Sequence, residues 1–220
     1  MKAEQFGEIH SRFFPPYVIV EKGGIVELLR NELHCWRNGE NNTDLMFLTG
    51  NSQTASPEGQ YMIAEEVLST AIKFGVRRLY SIEAYLTDRH IDRSRVYGVV
   101  TDPVLMDWLK EYGVLPLEEG SIGGVSGLLL GLAKTEKIQG VCLLGETRGY
   151  QTTTGHTIVD AEAARAVLEA LTKMLGIKVD MAPLEDQAKT TAELIGRMEA
   201  VERRVIEQMY RTSPPGHYIT

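Results

Sequence analysis

A chain of 220 residues, 43% hydrophobic and 24% charged, has the composition of a globular domain with room for a sizeable core. Its 23 Lys and Arg against 30 Asp and Glu give a formal net charge of -7. That balance argues against a nucleic-acid binder, because phosphate backbones are held by clustered cations. The best apolar stretch, residues 128–133, is too short to span a bilayer, and Lys2, Glu4, Gln5 and Glu8 interrupt any leader-like opening. The expectation is a cytoplasmic protein with no membrane partner.

In chain order, residues 17–20 and 25–28 are β-rich runs flanking Glu21-Lys22-Gly23-Gly24, which predicts a β-hairpin. Residues 30–37 alternate as a third strand, and residues 45–48 form a compact apolar strand leading into Thr49-Gly50-Asn51-Ser52-Gln53. Ser56 and Pro57 are placed to start a helix whose Ile63, Val67, Leu68, Ala71, Ile72 and Phe74 share one face. Gly75 ends it. Strands follow at 78–82 and 96–100, then a short helix opened by Pro103 and closed by Gly113.

The glycine-rich turn 120–127 leads into an apolar helix and a buried strand at 140–144. Asp160 caps a helix that ends at Gly176, and a last helix runs from about residue 184 to 210. Strands alternating with helices predict an α/β fold, a three-layer α/β/α sandwich around a mixed, largely parallel sheet, with an added C-terminal helix. The expected division is a core domain at 1–182, the helix at 183–212 and an extended tail at 213–220.

Several polar groups follow apolar strands: Thr49, Asn51 and Gln53; Glu83; Thr101 and Asp102; Glu146 and Thr147. In a parallel sheet such strand ends share one edge, where open α/β sheets keep their ligands. One reading is a small-molecule site with Glu146 as acid or base and Arg148 as an anion contact. The other is that these groups cap helices and satisfy backbone amides. Gly123 and Gly124 likewise suit either an anion cradle or a tight turn before a helix capped by Ser126, with Gly127 and Gly131 permitting close packing. The stretch lacks the Lys-Ser/Thr of a Walker loop and the Rossmann spacing.

No nucleophile–base pair or metal-ligand spacing stands out, so no catalytic residue, metal or cofactor is expected. Cys142 suits a buried thiol. His10, His34, His90, His156 and His217 are scattered, and Arg89, Arg93 and Arg95 among Asp88 and Asp92 suggest an exposed charged loop. In the last helix Leu194, Met198, Val201 and Val205 recur at the period of a helix–helix seam.

The run 123–131 followed by Val141-Cys142-Leu143-Leu144-Gly145-Glu146-Thr147 resembles the proteasome assembly chaperone family in its archaeal branch. Leu48-Thr49-Gly50 with Gln53, Pro57-Glu58-Gly59-Gln60-Tyr61, Val96-Tyr97-Gly98, residues 159–164 and Leu175-Gly176-Ile177 fit the same pattern, which spans residues 14–184. The resemblance implies a topology similar to purine nucleoside phosphorylases, self-association, and a non-catalytic role with proteasome core subunits as partners. That topology also suggests an alternative, a nucleoside phosphorylase-like or hydrolase-like enzyme or a metabolite binder using the strand-end pocket.

The chain departs from the family pattern in three places. Its opening suggests the end of the family's first helix. Glu83-Ala84-Tyr85 occupies a turn that relatives fill with two glycines and an aromatic. Arg148 replaces a usual proline, and residues 151–157 look like an insertion. Family members that act on proteasomes end in a hydrophobic residue, tyrosine and a further residue. Tyr218-Ile219-Thr220 places that tyrosine one position early, and the expectation is a partner-binding tail.

Overall fold

A computed structural model of the chain describes residues 2–39, 43–89, 91, 93–151 and 158–212. Strand β1 (Glu4–Ile9) corrects the expectation that the chain opens on a helix end. The hairpin β2 (Val18–Val20) and β3 (Val26–Leu28) follows as the sequence predicts, turning through Gly23 and Gly24 at φ of 94° and 80°. Next come β4 (Asn31–Trp36) and β5 (Leu45–Gly50). β1 and β5 both pair antiparallel with β4, giving a three-stranded sheet in the order β1-β4-β5, separate from the two-stranded β2-β3 ribbon.

Helix α1 (Pro57–Lys73) starts where the capping chemistry says: the Ser56 hydroxyl accepts from Gly59 N at 3.0 Å and Pro57 occupies the first turn. Strand β6 (Arg78–Leu86) runs longer than its apolar core, and β7 (Val96–Val100) leads into α2 (Pro103–Lys110), capped by the Asp102 carboxylate. After the short β8 (Leu115–Pro116) come α3 (Gly124–Thr135), β9 (Gln139–Thr147), α4 (Ala161–Leu175) and α5 (Ala182–Thr212). Asp160 caps α4 at Ala163 N, 3.0 Å, and Gly176 closes it at φ 63°.

The second sheet has the order β6-β9-β7-β8. β6 runs parallel to β9 and β7 to β8, whereas β7 is antiparallel to β9. The first sheet is thus antiparallel throughout and the second is mixed. The reason for the mixture lies at residues 87–95. A parallel return needs a crossover of about a dozen residues or more, and this shorter loop sends β7 back antiparallel.

The fold is mixed α/β, with helices against both faces of β9. On one face Leu130 of α3 meets Cys142 and Leu144; on the other, Val167 and Ala170 of α4 join Val141 and Leu143. α4 approaches so closely because residue 145 is glycine: a Cβ there would lie 3.0 Å from Val167 Cγ2 and 3.1 Å from the Ala163 carbonyl. A third cluster ties Ile9 and Leu33 of the first sheet, with Leu29 just before β4, to Ile63, Val67 and Leu68 of α1 and Leu129 of α3.

Candidate functional site

Because β6 extends to Leu86 and β9 to Thr147, Glu83, Glu146 and Thr147 are strand residues rather than turn residues. Register places Glu83 beside Leu144 and Tyr85 beside Glu146, while the antiparallel β7 sets Val96 against Gly145. That last pairing brings Arg95 onto Glu146. The carboxylate is 2% exposed and accepts from Arg95 Nε at 2.7 Å and Nη2 at 2.6 Å. A longer bond from Arg89 Nη2 spans 3.4 Å, and Glu146 N donates to the Arg95 carbonyl at 2.9 Å.

Arg95 therefore holds the Glu146 carboxyl below the usual carboxylate range, outweighing the opposing effect of burial. A bidentate pair of this geometry is a fixed latch. It leaves Glu146 an ionised acceptor with both oxygens occupied, which is poor equipment for an acid or base. Arg95 also stands over Tyr97, 5.4 Å from the ring centre, and Tyr97 packs on Tyr85 at 4.8 Å. Arg95 and Arg89 are exposed, as the sequence suggests, yet both reach a buried group 51 and 57 residues away, Arg95 closely and Arg89 at longer range. The one local hint was an arginine immediately before an apolar strand.

Thr147 continues the network: its hydroxyl donates to Asp160 Oδ2 at 2.7 Å and accepts from Gly149 N at 3.3 Å. The residue that caps α4 is therefore tied to the end of β9. Arg148 is exposed and lies 5.9 Å from the Tyr150 ring.

Thr49, Asn51 and Gln53 belong to the other sheet. Asn51 Oδ1 accepts from Arg30 N at 3.0 Å, and Asn31 Nδ2 donates to the Ser52 carbonyl at 3.1 Å, so this turn is fastened to β4. Thr49 sits opposite Glu32 in the ladder, and Gln53 is exposed. No bond joins these residues to Glu83 or Glu146 among the described residues, so the expected convergence at one edge divides between two sheets.

Gly123 is the N-cap of α3 and Gly124 opens it at φ 71°. Ser126 lies inside the first turn and makes no cap, a correction to its expected role. Gly127 is required, since a Cβ there would fall 2.0 Å from the Ile122 carbonyl oxygen, whereas Gly131 faces open space. The turn borders a groove of about 310 Å³ floored by Val99, Leu117, Ile122 and Leu130, with Glu118 and Glu119 on its lining. Those carboxylates oppose the anion-cradle reading. Burial pushes the Cys142 thiol up, as suits a packed thiol.

Among the described residues, no three or more His, Cys, Asp or Glu side chains group to hold a metal, and no helix is long and apolar enough to cross a membrane. The tail residues Tyr218, Ile219 and Thr220, together with His90, His156 and His217, lie outside the described residues.

An uncharacterised protein of Methanocaldococcus jannaschii is 33% identical over 215 residues, covering 97% of this chain and 79% of the relative. Pyrococcus furiosus PbaB, an archaeal proteasome activator, superposes with a TM-score of 0.80 at 34% identity, covering 90% of this chain and 82% of its own. Pyrococcus furiosus PbaA, an archaeal homolog of proteasome-assembly chaperone, gives 0.68 at 28%, covering 95% and 81%. The PAC2 family model matches residues 1–199. The chain belongs to the PAC2 family, the proteasome assembly chaperones, in company with its archaeal members.

Proposed function

We propose that this protein is a cytoplasmic, non-catalytic, self-associating protein that binds proteasome core subunits. The observation that carries this reading is the likeness to the P. furiosus proteasome activator across 90% of the chain. The packing of α3 and α4 on opposite faces of β9 supports a three-layer α/β/α arrangement of the phosphorylase kind. The boundary near residue 182, where α5 begins, supports a core domain with an appended helix.

The enzymatic alternative loses its acid–base candidate to the Arg95–Glu146 pair, so topology alone is left to argue for it. Two modes of core-particle binding remain, and one experiment separates them. The protein is added to mature archaeal core particle while peptide hydrolysis is followed, and in parallel is co-expressed with α-type subunits. Faster hydrolysis marks an activator; co-purification with incomplete α-subunit assemblies marks a chaperone. The proposal fails if neither occurs with folded protein.

A further inference from the structure

The β2–β3 ribbon belongs to neither larger sheet and is sharply two-sided. Its underside sets Ile19 against Glu27; Ile19 packs on the core, and Glu27 Oε2 accepts from Arg30 Nη1 at 2.6 Å. The other face pairs Val18 with Leu28 and Val20 with Val26. With the neighbouring Tyr17 and Ile25, these residues are between 44% and 65% exposed.

Six large apolar side chains so exposed leave on the order of 500 Å² of apolar surface bare, near the upper end of what monomers tolerate. That exposed face calls for a second layer, and strand sheets stack face to face about 10 Å apart.

We propose, resting on the self-association proposed above, that this layer is the same ribbon of a second copy, packed face to face about a two-fold axis. The paired residues on this face carry no charge to steer or select a foreign partner, whereas the chain as a whole is at -7 and repels its copies elsewhere. An uncharged patch is where two like-charged copies can approach. The exposed apolar area is over half of the roughly 800 Å² per partner that a stable pair buries, so flanking residues complete the contact. On the outward face Val18 and Val20 of one strand and Val26 and Leu28 of the other offer similar volumes, as a self-complementary contact requires.

The test is sedimentation of the full chain against Val20→Glu/Val26→Glu, which sets like charges against each other across the axis. Self-association is expected to weaken on the order of a hundredfold or more, with unchanged far-UV circular dichroism. A cysteine series at 18, 20, 26 and 28 in a Cys35→Ser background guards against a folding defect in the double variant. At least one position should give a covalent dimer on mild oxidation, while Val104→Cys on exposed α2 should not. A monomeric wild type, unchanged stoichiometry in the double variant, or no cross-link from any ribbon position overturns the proposal. Unchanged stoichiometry with lost core-particle binding also overturns it and assigns the ribbon to that partner.

Discussion

Glu146→Gln tests the latch that joins β9 to the start of β7. The substitution keeps shape and removes charge. Whichever way the amide turns, its NH2 faces a guanidinium donor, so at least one of the bonds at 2.6 and 2.7 Å is lost and the other loses its charge. Charge-assisted bonds contribute about 1.5–3 kcal/mol each. Relief from burying a carboxylate, and the access of Arg95 to water, offset part of this and leave a net loss of about 2 kcal/mol. For a chain of this length that lowers Tm by about 4–8 °C.

The pH dependence gives the signature. Arg95 depresses the folded-state pKa of Glu146 below the ordinary 4.5. The group's contribution is therefore complete above that unfolded value and disappears as pH falls through the folded one. The Tm gap between wild type and variant should be constant near neutrality and close at acid pH. Differential scanning fluorimetry from pH 7 to about pH 3 reads it directly, and the difference cancels other titrating carboxylates. A gap below about 1 °C at pH 7, or one that persists undiminished in acid, refutes the latch.

Asp160→Ala removes both the cap on Ala163 N and the acceptor for the Thr147 hydroxyl, and should cost about 1–2 kcal/mol in chemical denaturation; Asp160→Asn should recover most of it. Leu109, fully buried, should lose about 2–5 kcal/mol on truncation to alanine. Gly98→Ala places a methyl 2.8 Å from both Leu109 Cδ1 and Val114 Cγ1 and should cost about 1–3 kcal/mol. Because Leu109→Ala opens the space that methyl needs, the double variant should cost less than the two singles added; strict additivity would contradict the packing described.

Local chemistry explains what could be read from the sequence. Ser56-Pro57, Asp102-Pro103 and Asp160 mark the starts of α1, α2 and α4 because the capping acceptor lies within three residues of its amide. The β2–β3 hairpin was visible because its turn glycines lie between its strands. β1 was not. Its Glu4, Gln5, Gly7 and Glu8 have little strand propensity, and it exists because β4, more than twenty residues on, supplies its partner. Polar Glu83 and Glu146 give the ends of β6 and β9 the local look of turns, yet each extends a ladder that its neighbour completes. Arg95 could be assigned to Glu146 only once β7 was known to run antiparallel beside β9, a matter of sheet order that the residues do not carry locally. The same missing order hid the split of Thr49, Asn51 and Gln53 from Glu146.

The most direct test of the proteasome reading is co-sedimentation of purified protein with archaeal core particle and, separately, with free α-type subunits. Full-length chain and a version lacking residues 216–220 are compared. The account predicts that folded full-length protein co-sediments with at least one of the two, and that removing the tail weakens binding to the mature particle. Full-length protein that sediments alone in both mixtures, with native circular dichroism and an intact thermal transition, would contradict it.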